Sequence, residues 1–320
     1  MSVMLSRSSR VNEPAIAPPY GDTPVVGEDV FMTTLAVTCR PTVPPERLRD
    51  VARAAEDSGL SELWLWEDCF WGGAASAMGA ALAWTSGLRL AVGVIPAPLR
   101  NVALTAMETA MLHRLFPGRV TIGVGHGVQE WMGQAGARVE SPLTLLREYL
   151  VALRALLGGE KVTAHGRYVH LDEVALGWPP AHAPAIVAAA SGPRTLRLSG
   201  ELADGTVLDS SITADGLREA RRLIDEGRAA VGRTDSHPLI VYLRAITGPG
   251  ARDRLAEEIS EGSVQPGSAV VAGDAAAIAA AVRSWARAGA DSVVLHPPGD
   301  EPDPAAFVRF VAEQVRPLVA

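Results

Sequence analysis

From Phe31 onward the chain alternates short apolar or β-branched runs with longer stretches in which apolar residues recur every three to four positions. The short runs suit buried strands, and the longer period suits amphipathic helices. The strands predicted are Met32–Thr38, Glu62–Glu67, Leu88–Ile95, Val120–Gly125, Ala185–Ala190, Gly205–Asp209, Leu239–Ala245 and Ser292–His296. Between them the clearest helix is Pro45–Ser58, where Leu48, Val51, Ala52 and Ala55 share a face and Gly59 acts as the stop. Ala74–Ser86, Ala103–Phe116, Pro193–Ala203, Asp215–Ala230, Asp274–Ala288 and Pro304–Val319 follow the same pattern. Strands separated by helices pair in parallel through right-handed crossovers. Eight such units close a barrel, so the expected fold is α/β, a (β/α)8 TIM barrel.

Two connections exceed a bare loop, which places insertions after strands four and seven. The first holds an amphipathic helix, Pro142–Leu157, and a hairpin-like segment, Lys161–Leu171; the second, Gly248–Gly273, holds a short helix, Arg252–Ile259. Insertions of this length on a barrel more often carry function than disorder. Residues 1–28, rich in Pro and Ser and without sustained periodicity, read as an irregular N-terminal extension, and 29–320 as a single barrel domain.

Composition narrows the partners. The 320 residues are 48% hydrophobic and 20% charged, a globular balance. Lys+Arg 29 against Asp+Glu 36 gives a net charge of −7 with no basic block, which argues against nucleic acid and anionic membranes. No apolar run reaches the ~20 residues of a membrane helix. Cys39 and Cys69 are too few for a disulfide framework, so the cytoplasm is the expected compartment. Lys161 is the only lysine, a bias that fits a GC-rich genome better than a functional demand.

Barrel enzymes build their sites at the C-terminal ends of strands. Those ends offer Thr38–Arg40, Glu67–Phe70, Val94–Pro98, His126–Trp131, Ala190–Thr195, Asp209–Ser211, Arg244 and His296. They contain no ligand cluster with metal spacing and no G-x-S-x-G elbow, so no metal is expected and serine-hydrolase chemistry is unsupported. A mouth rich in aromatics and turns but poor in acids and bases suits a flat cofactor that carries the chemistry itself. The run Gly123–Gly127 (GVGHG) follows a strand, but Val128 occupies the place of a third dinucleotide-binding glycine; a tight rim turn and a phosphate turn both fit. At Ala190–Thr195 (ASGPRT) a strand yields to a helix with Pro193 in its first turn. Free N–H groups there, with Ser191, Arg194 and Thr195, fit a phosphate; plain capping by Ser191 is the other reading.

The segments Ala54–Asp68 (AAEDSGLSELWLWED), Leu88–Arg100 (LRLAVGVIPAPLR), Leu112–Gly127 (LHRLFPGRVTIGVGHG), Pro142–Tyr168 and Ala188–Gly205 (AAASGPRTLRLSGELADG) carry a resemblance. Over residues 31–318 the chain resembles the luciferase-like monooxygenase superfamily, the bacterial luciferase-type barrels, and within it the coenzyme F420-dependent oxidoreductase branch. The resemblance implies an acidic residue beside the deazaflavin ring at Asp68 and a strand-three bulge with a non-prolyl cis peptide at Gly93–Val94. It further implies backbone of Ile95, Pro96 and Ala97 facing the ring, and His126, Gly127, Ser191, Gly192, Arg194 and Thr195 on the ribityl-phosphate side. It also implies a homodimer. Dehydrogenases of the branch carry His after the acidic residue and another acid after strand four; here Cys69 and Val128 stand there, so their sugar-phosphate substrate is not carried over.

A deazaflavin transfers hydride from C5, so the protein must position a small-molecule substrate and handle one proton. The expected activity is reduction of a C=C, C=N or C=O bond. Cys69, His126 and Glu130 are the proton-transfer candidates, with packing, turn capping and solvation as their respective bland alternatives. Cys39, Phe70, Trp71 and Trp131 are the expected substrate-pocket residues, and Trp66 is either part of that wall or barrel packing. An FMN-dependent monooxygenase and a non-catalytic flavin-binding barrel are the alternative functions.

Overall fold

The computed structural model describes residues 33–319; the extension 1–28 and Met32 of the first predicted strand lie outside them. Eight parallel strands form a closed barrel: β1 (Thr34–Cys39), β2 (Glu62–Leu65), β3 (Arg89–Pro96), β4 (Val120–Gly125), β5 (Ile186–Ala189), β6 (Gly205–Leu208), β7 (Leu239–Ile246) and β8 (Ser292–His296). Each pairs with its chain neighbour, β6 pairs β7, and β8 returns to β1 with Thr34 opposite Ser292. Every predicted strand is present, most of them trimmed by a residue or two at an end.

Strand alternation divides the core. Inward-facing Ala36, Trp64, Ala91, Val187, Val207, Ile240, Tyr242 and Val294 fill the barrel, while the intervening residues pack outward against the helices. Trp64 and Tyr242 meet edge to face at 5.9 Å, giving two large rings the bulk of the interior. At the opposite end from the mouth, carboxylates tie strand starts to helices. Asp204 accepts from Ile186 N–H at 2.9 Å and from Arg154 and Arg233 at 2.7 and 2.8 Å. Asp291 accepts from Leu239 N–H at 2.8 Å and from Arg221 at 2.6 Å.

Between β4 and β5 lie a short helix (Gln129–Gln134) that the periodicity did not reveal, the expected helix Pro142–Leu157, and a hairpin of Val162–His165 with His170–Val174. The hairpin runs three residues past the expected Leu171, because a register shift between Val162 and Ala164 breaks the simple alternation. Between β7 and β8, after the helix Ala251–Ser260, a three-residue strand, Val270–Ala272, adds alongside β7. The helices Pro193–Leu202 and Ala214–Ala230 press backbone to backbone: a Cβ on Gly200 would sit 2.1 Å from Ile224 O, and one on Gly227 2.0 Å from Arg197 O. That contact fixes where the N-terminus of Pro193–Leu202 meets the mouth.

Candidate active site at the C-terminal mouth of the barrel

The floor of the mouth is made by an irregularity in β3. Pairing with β4 shifts register between Val92 and Ile95, and the Gly93–Val94 peptide is cis. Gly93 O accepts from Tyr242 Oη at 2.9 Å. A Cβ on Gly93 would fall 1.9 Å from that hydroxyl and 2.8 Å from the Trp64 ring, so only glycine fits beneath the bulge. Val94 is in turn accommodated by β4: a Cβ on Gly123 or Gly125 would lie 2.7 or 2.6 Å from its methyls. Gly93, Val94 and Pro96 line a cavity of about 420 Å³, within the range of small-molecule sites. Ile95 and Ala97 instead turn their side chains into the outward core with the helices. Strand alternation is the cause for Ile95, and Ala97 begins the single helical turn Ala97–Leu99 that follows β3.

One wall comes from β2 and the residues after it. Trp66, Asp68 and Cys69 line the cavity, with the Trp66 ring 5.2 Å from that of Tyr242. Glu67 anchors this turn by accepting from Arg100 at 2.7 and 2.8 Å and from Ala74 N–H at 2.6 Å at the start of the next helix. Burial raises the Asp68 carboxyl, against an opposing pull from Arg40. Burial, then the neighbouring Glu67 and Asp68, raise the Cys69 thiol, so it is protonated at neutral pH. The Cys69–Phe70 peptide is also cis, a feature that nothing in the sequence announced.

Three expected pocket residues lie elsewhere. Cys39 belongs to the outward core at 6% exposure, because β1 directs Thr38 and not Cys39 toward the barrel interior; burial pushes its thiol up to about 12. Phe70 and Trp71 are each 65% exposed and stand outside the cavity lining, since the turn closed by Trp71 N–H on Asp68 O at 3.0 Å carries them outward.

The other wall is built from the ends of β4 and β5. His126, Gly127, Trp131, Ser191 and Thr195 line the cavity together. Gly127 takes φ of 67°, and a Cβ there would meet Met132 Sδ at 2.9 Å. His126 Nε2 is buried without a partner among the described residues, and burial lowers the imidazole pKa, leaving it neutral. Glu130 faces solvent from the first turn of the short helix and is not in the lining. The helix Pro193–Leu202 starts at Gly192 with no side-chain cap, which removes the capping reading for Ser191 and leaves the Arg194 and Thr195 N–H groups at an open helix start. Gly192 and Arg194 are outside the lining, with Arg194 exposed at the rim.

Tyr242, Ala189, Val207 and Met132 also line the cavity and were missed in the sequence. Tyr242 had a signal: it is the single aromatic on the inward alternation of Leu239–Ala245. Ala189 and Val207 act by being small, which no local pattern marks. Among the described residues no group of three or more His, Cys, Asp or Glu is disposed to hold a metal ion, and no helix is long and apolar enough to cross a membrane.

Residues 30–265 match the model of the luciferase-like monooxygenase family. The chain is 29% identical over 200 residues to 5,10-methylenetetrahydromethanopterin reductase of Methanolobus tindarius, an alignment covering 62% of this chain and 61% of that protein. It is 28% identical over 320 aligned positions to F420-dependent glucose-6-phosphate dehydrogenase of Kineococcus radiotolerans, covering 86% and 93%. Among solved structures, an F420-dependent secondary alcohol dehydrogenase in complex with an F420-acetone adduct superposes with a TM-score of 0.80 at 20% identity, over 90% of this chain and 99% of that one.

Proposed function

The chain belongs to the luciferase-like monooxygenase family, and from that premise we propose that it is a coenzyme F420-dependent oxidoreductase, reducing a C=C, C=N or C=O bond of a small organic substrate. The observation that carries the reading is the cavity itself. A bulged, glycine-dependent floor and an uncapped helix start open onto one space of a size for a tricyclic ring and its polar tail. The F420-dependent relatives described above support it.

The described residues fit such a cofactor. The floor at Gly93–Val94 and Pro96 offers one face of a ring a surface to pack on, and Asp68 and Trp66 line the same cavity. His126 Nε2, unpartnered, and the free N–H groups at Arg194 and Thr195, with Ser191, offer the polar end a place. When bound, the deazaflavin supplies hydride at C5. The chain's own task is orientation, exclusion of water and one proton. Cys69 is the proton donor in this reading: burial and two carboxylates hold its thiol protonated at neutral pH, the form a reduction needs. His126, neutral in the cavity wall, holds the cofactor tail or relays that proton.

An exposed apolar stripe, Leu104, Met107, Met111 and Leu115 on the helix Val102–Leu115, supports a homodimer built on that face. The acidic charge and two free cysteines support a cytoplasmic enzyme.

Fluorescence titration of the purified protein with F420 and, separately, with FMN is the test. Tight F420 and weak FMN binding is expected. The reverse order would move the protein to oxygen-dependent flavin chemistry, and binding of neither would remove the cofactor assignment altogether.

A further inference from the structure

With the β3 floor, the Trp66–Cys69 wall and the open helix start given to the cofactor and its proton, a third side of the cavity has no task. It consists of Val207 of β6, Asp209 just after that strand, and Tyr242 of β7. Asp209 is the charged residue on this side. It is exposed at the mouth and commits Oδ1 to its own turn, accepting from Ser211 N–H at 2.8 Å and from the Ser211 hydroxyl. Oδ2 has no hydrogen-bond partner, and the carboxylate no ion pair, among the described residues. The other acids of the lining are answered: Arg100 grips Glu67 at 2.7 and 2.8 Å, and Arg40 pulls on Asp68. No arginine or lysine of the described residues enters the lining. Arg244, two residues beyond Tyr242 on β7, stands outside it and is held by Glu258 at 2.5 and 2.8 Å.

An unpaired carboxylate on an open cavity favours a cation and opposes an anion. Tyr242 adds to that preference. Its hydroxyl hydrogen is committed to Gly93 O at 2.9 Å, so what it adds to the lining is an aromatic ring, a surface that attracts organic cations. A phosphate or carboxylate substrate meets no guanidinium or ammonium of the lining to balance it. Of the three bonds open to reduction, only C=N readily takes up a proton near neutral pH and becomes a cation.

We propose that Asp209 is the residue that determines substrate specificity, its carboxylate accepting from the N–H of a protonated imine beside the Tyr242 ring, so that the substrate is a small imine and not an anionic ester or acid. The step balances. A neutral imine gains one proton, which Cys69 supplies in the reading above, and becomes an iminium; the thiolate recovers its proton from water. One hydride from the reduced cofactor forms the new C–H bond, and the C=N π pair passes to nitrogen as a lone pair. A neutral amine and oxidised cofactor remain. The assignment rests on the oxidoreductase reading for its reaction, but the charge preference is measured without turnover.

Benzamidine, benzamide and benzoate present a cation, a neutral group and an anion on one shape. Each is titrated calorimetrically into the full-length protein, with and without saturating F420. Benzamidine is expected to bind tightest and benzoate weakest. Asp209→Asn keeps an acceptor for Ser211 N–H and removes only the charge. It should weaken benzamidine by at least about tenfold, leave benzamide as it was, and bind F420 as the unaltered protein does; Asp209→Glu should restore part of the loss. With reduced F420, 1-pyrroline should be reduced in preference to cyclopentanone, and Asp209→Asn should narrow that preference. Benzoate binding as tightly as benzamidine, or benzamidine indifferent to Asp209→Asn, would overturn the assignment, as would the absence of binding by all three. A loss of F420 affinity in Asp209→Asn would make Asp209 a cofactor residue instead. Failure of the unaltered protein to bind F420, with benzamidine still bound through Asp209, would sink the cofactor reading and leave the cation preference standing.

Discussion

At Gly93 the barrel has no space for one more carbon. The Tyr242 hydroxyl and the Trp64 ring already occupy the volume a Cβ needs, at 1.9 and 2.8 Å. Gly93→Ala must therefore displace Tyr242 or the bulge, and overpacking of this kind costs about 1–3 kcal/mol. It should lower the unfolding free energy by that amount in urea titration and weaken F420 binding at least tenfold by fluorescence. Tyr242→Phe provides the milder comparison. It removes the donor to Gly93 O, costs about 1 kcal/mol, and should reduce cofactor affinity without overpacking. Equal affinity in all three proteins would mean that the bulge is structural and does not support a ligand.

The same scale shows what local pattern could not supply. Cys39 sits one residue from Thr38, yet alternation sends the two side chains to opposite sides of β1. A one-residue uncertainty in strand phase moves a residue from the pocket to the outer core. Phe70 and Trp71 look like pocket walls by composition, but the turn that follows β2 carries them to solvent.

Among the elements, the helix Val102–Leu115 stands out. One face is buried through Val102, Ala106, Thr109, Ala110 and Leu112; the other leaves Leu104, Met107, Met111 and Leu115 between 45% and 61% exposed. These four recur at helical spacing, and Val151 of the neighbouring helix Pro142–Leu157 is also exposed. Burying such a stripe against a second copy is worth roughly 25 cal/mol per Å² of apolar area. The unaltered protein should run as a dimer in light scattering after size exclusion, and Met107→Asp with Met111→Asp should give a monomer with unchanged far-ultraviolet circular dichroism. A double variant that remains dimeric would place the interface elsewhere. In the sequence this helix was read correctly as an element, but its exposed side was invisible: a helix apolar on both faces looks like a buried one until its neighbours are known.

The helix Pro193–Leu202 makes the complementary case. Its start was legible from Gly192 and Pro193, but whether Ser191 caps it or leaves it open depended on where the chain enters. Close packing through Gly200 and Gly227 fixes the helix against its neighbour, and its N-terminus opens toward the cavity without a side-chain cap.

Across the whole molecule, acid should be the condition that exposes the buried histidines. Burial first, then nearby arginines, hold His237 and His296 at about 3, well below the ~6.5 of an unfolded chain. The unfolded state thus binds protons below pH 6.5 that the native state refuses. Their contribution to stability is complete above that pH and is lost as pH falls from 6.5 toward 3, by up to about 1.4 kcal/mol per pH unit for each histidine. Urea unfolding at pH 7 and at pH 5 should show this fall, and His237→Gln should lessen it. A stability that is flat between the two would mean that neither imidazole stays neutral. His237 is held through Nε2 to Thr206 at 2.8 Å, so the variant tests a residue away from the mouth.

The sequence alone determined the order of elements, the closed count of eight strands, the two long connections and, through its resemblance, the place of the bulge at Gly93–Val94. The order, the count and the connections follow from periodicity, chain stops and residue size, which act over a few neighbours; the bulge came from the resemblance alone. Tertiary structure alone decided which strand-end residues share a cavity, that Tyr242 supports the floor from the far side of the barrel, and that Arg40 and His296 meet on the Trp66 ring. Arg40 and His296 are 256 positions apart and meet only because β8 closes on β1. Their burial and contacts are properties of that closure, and no local rule encodes them.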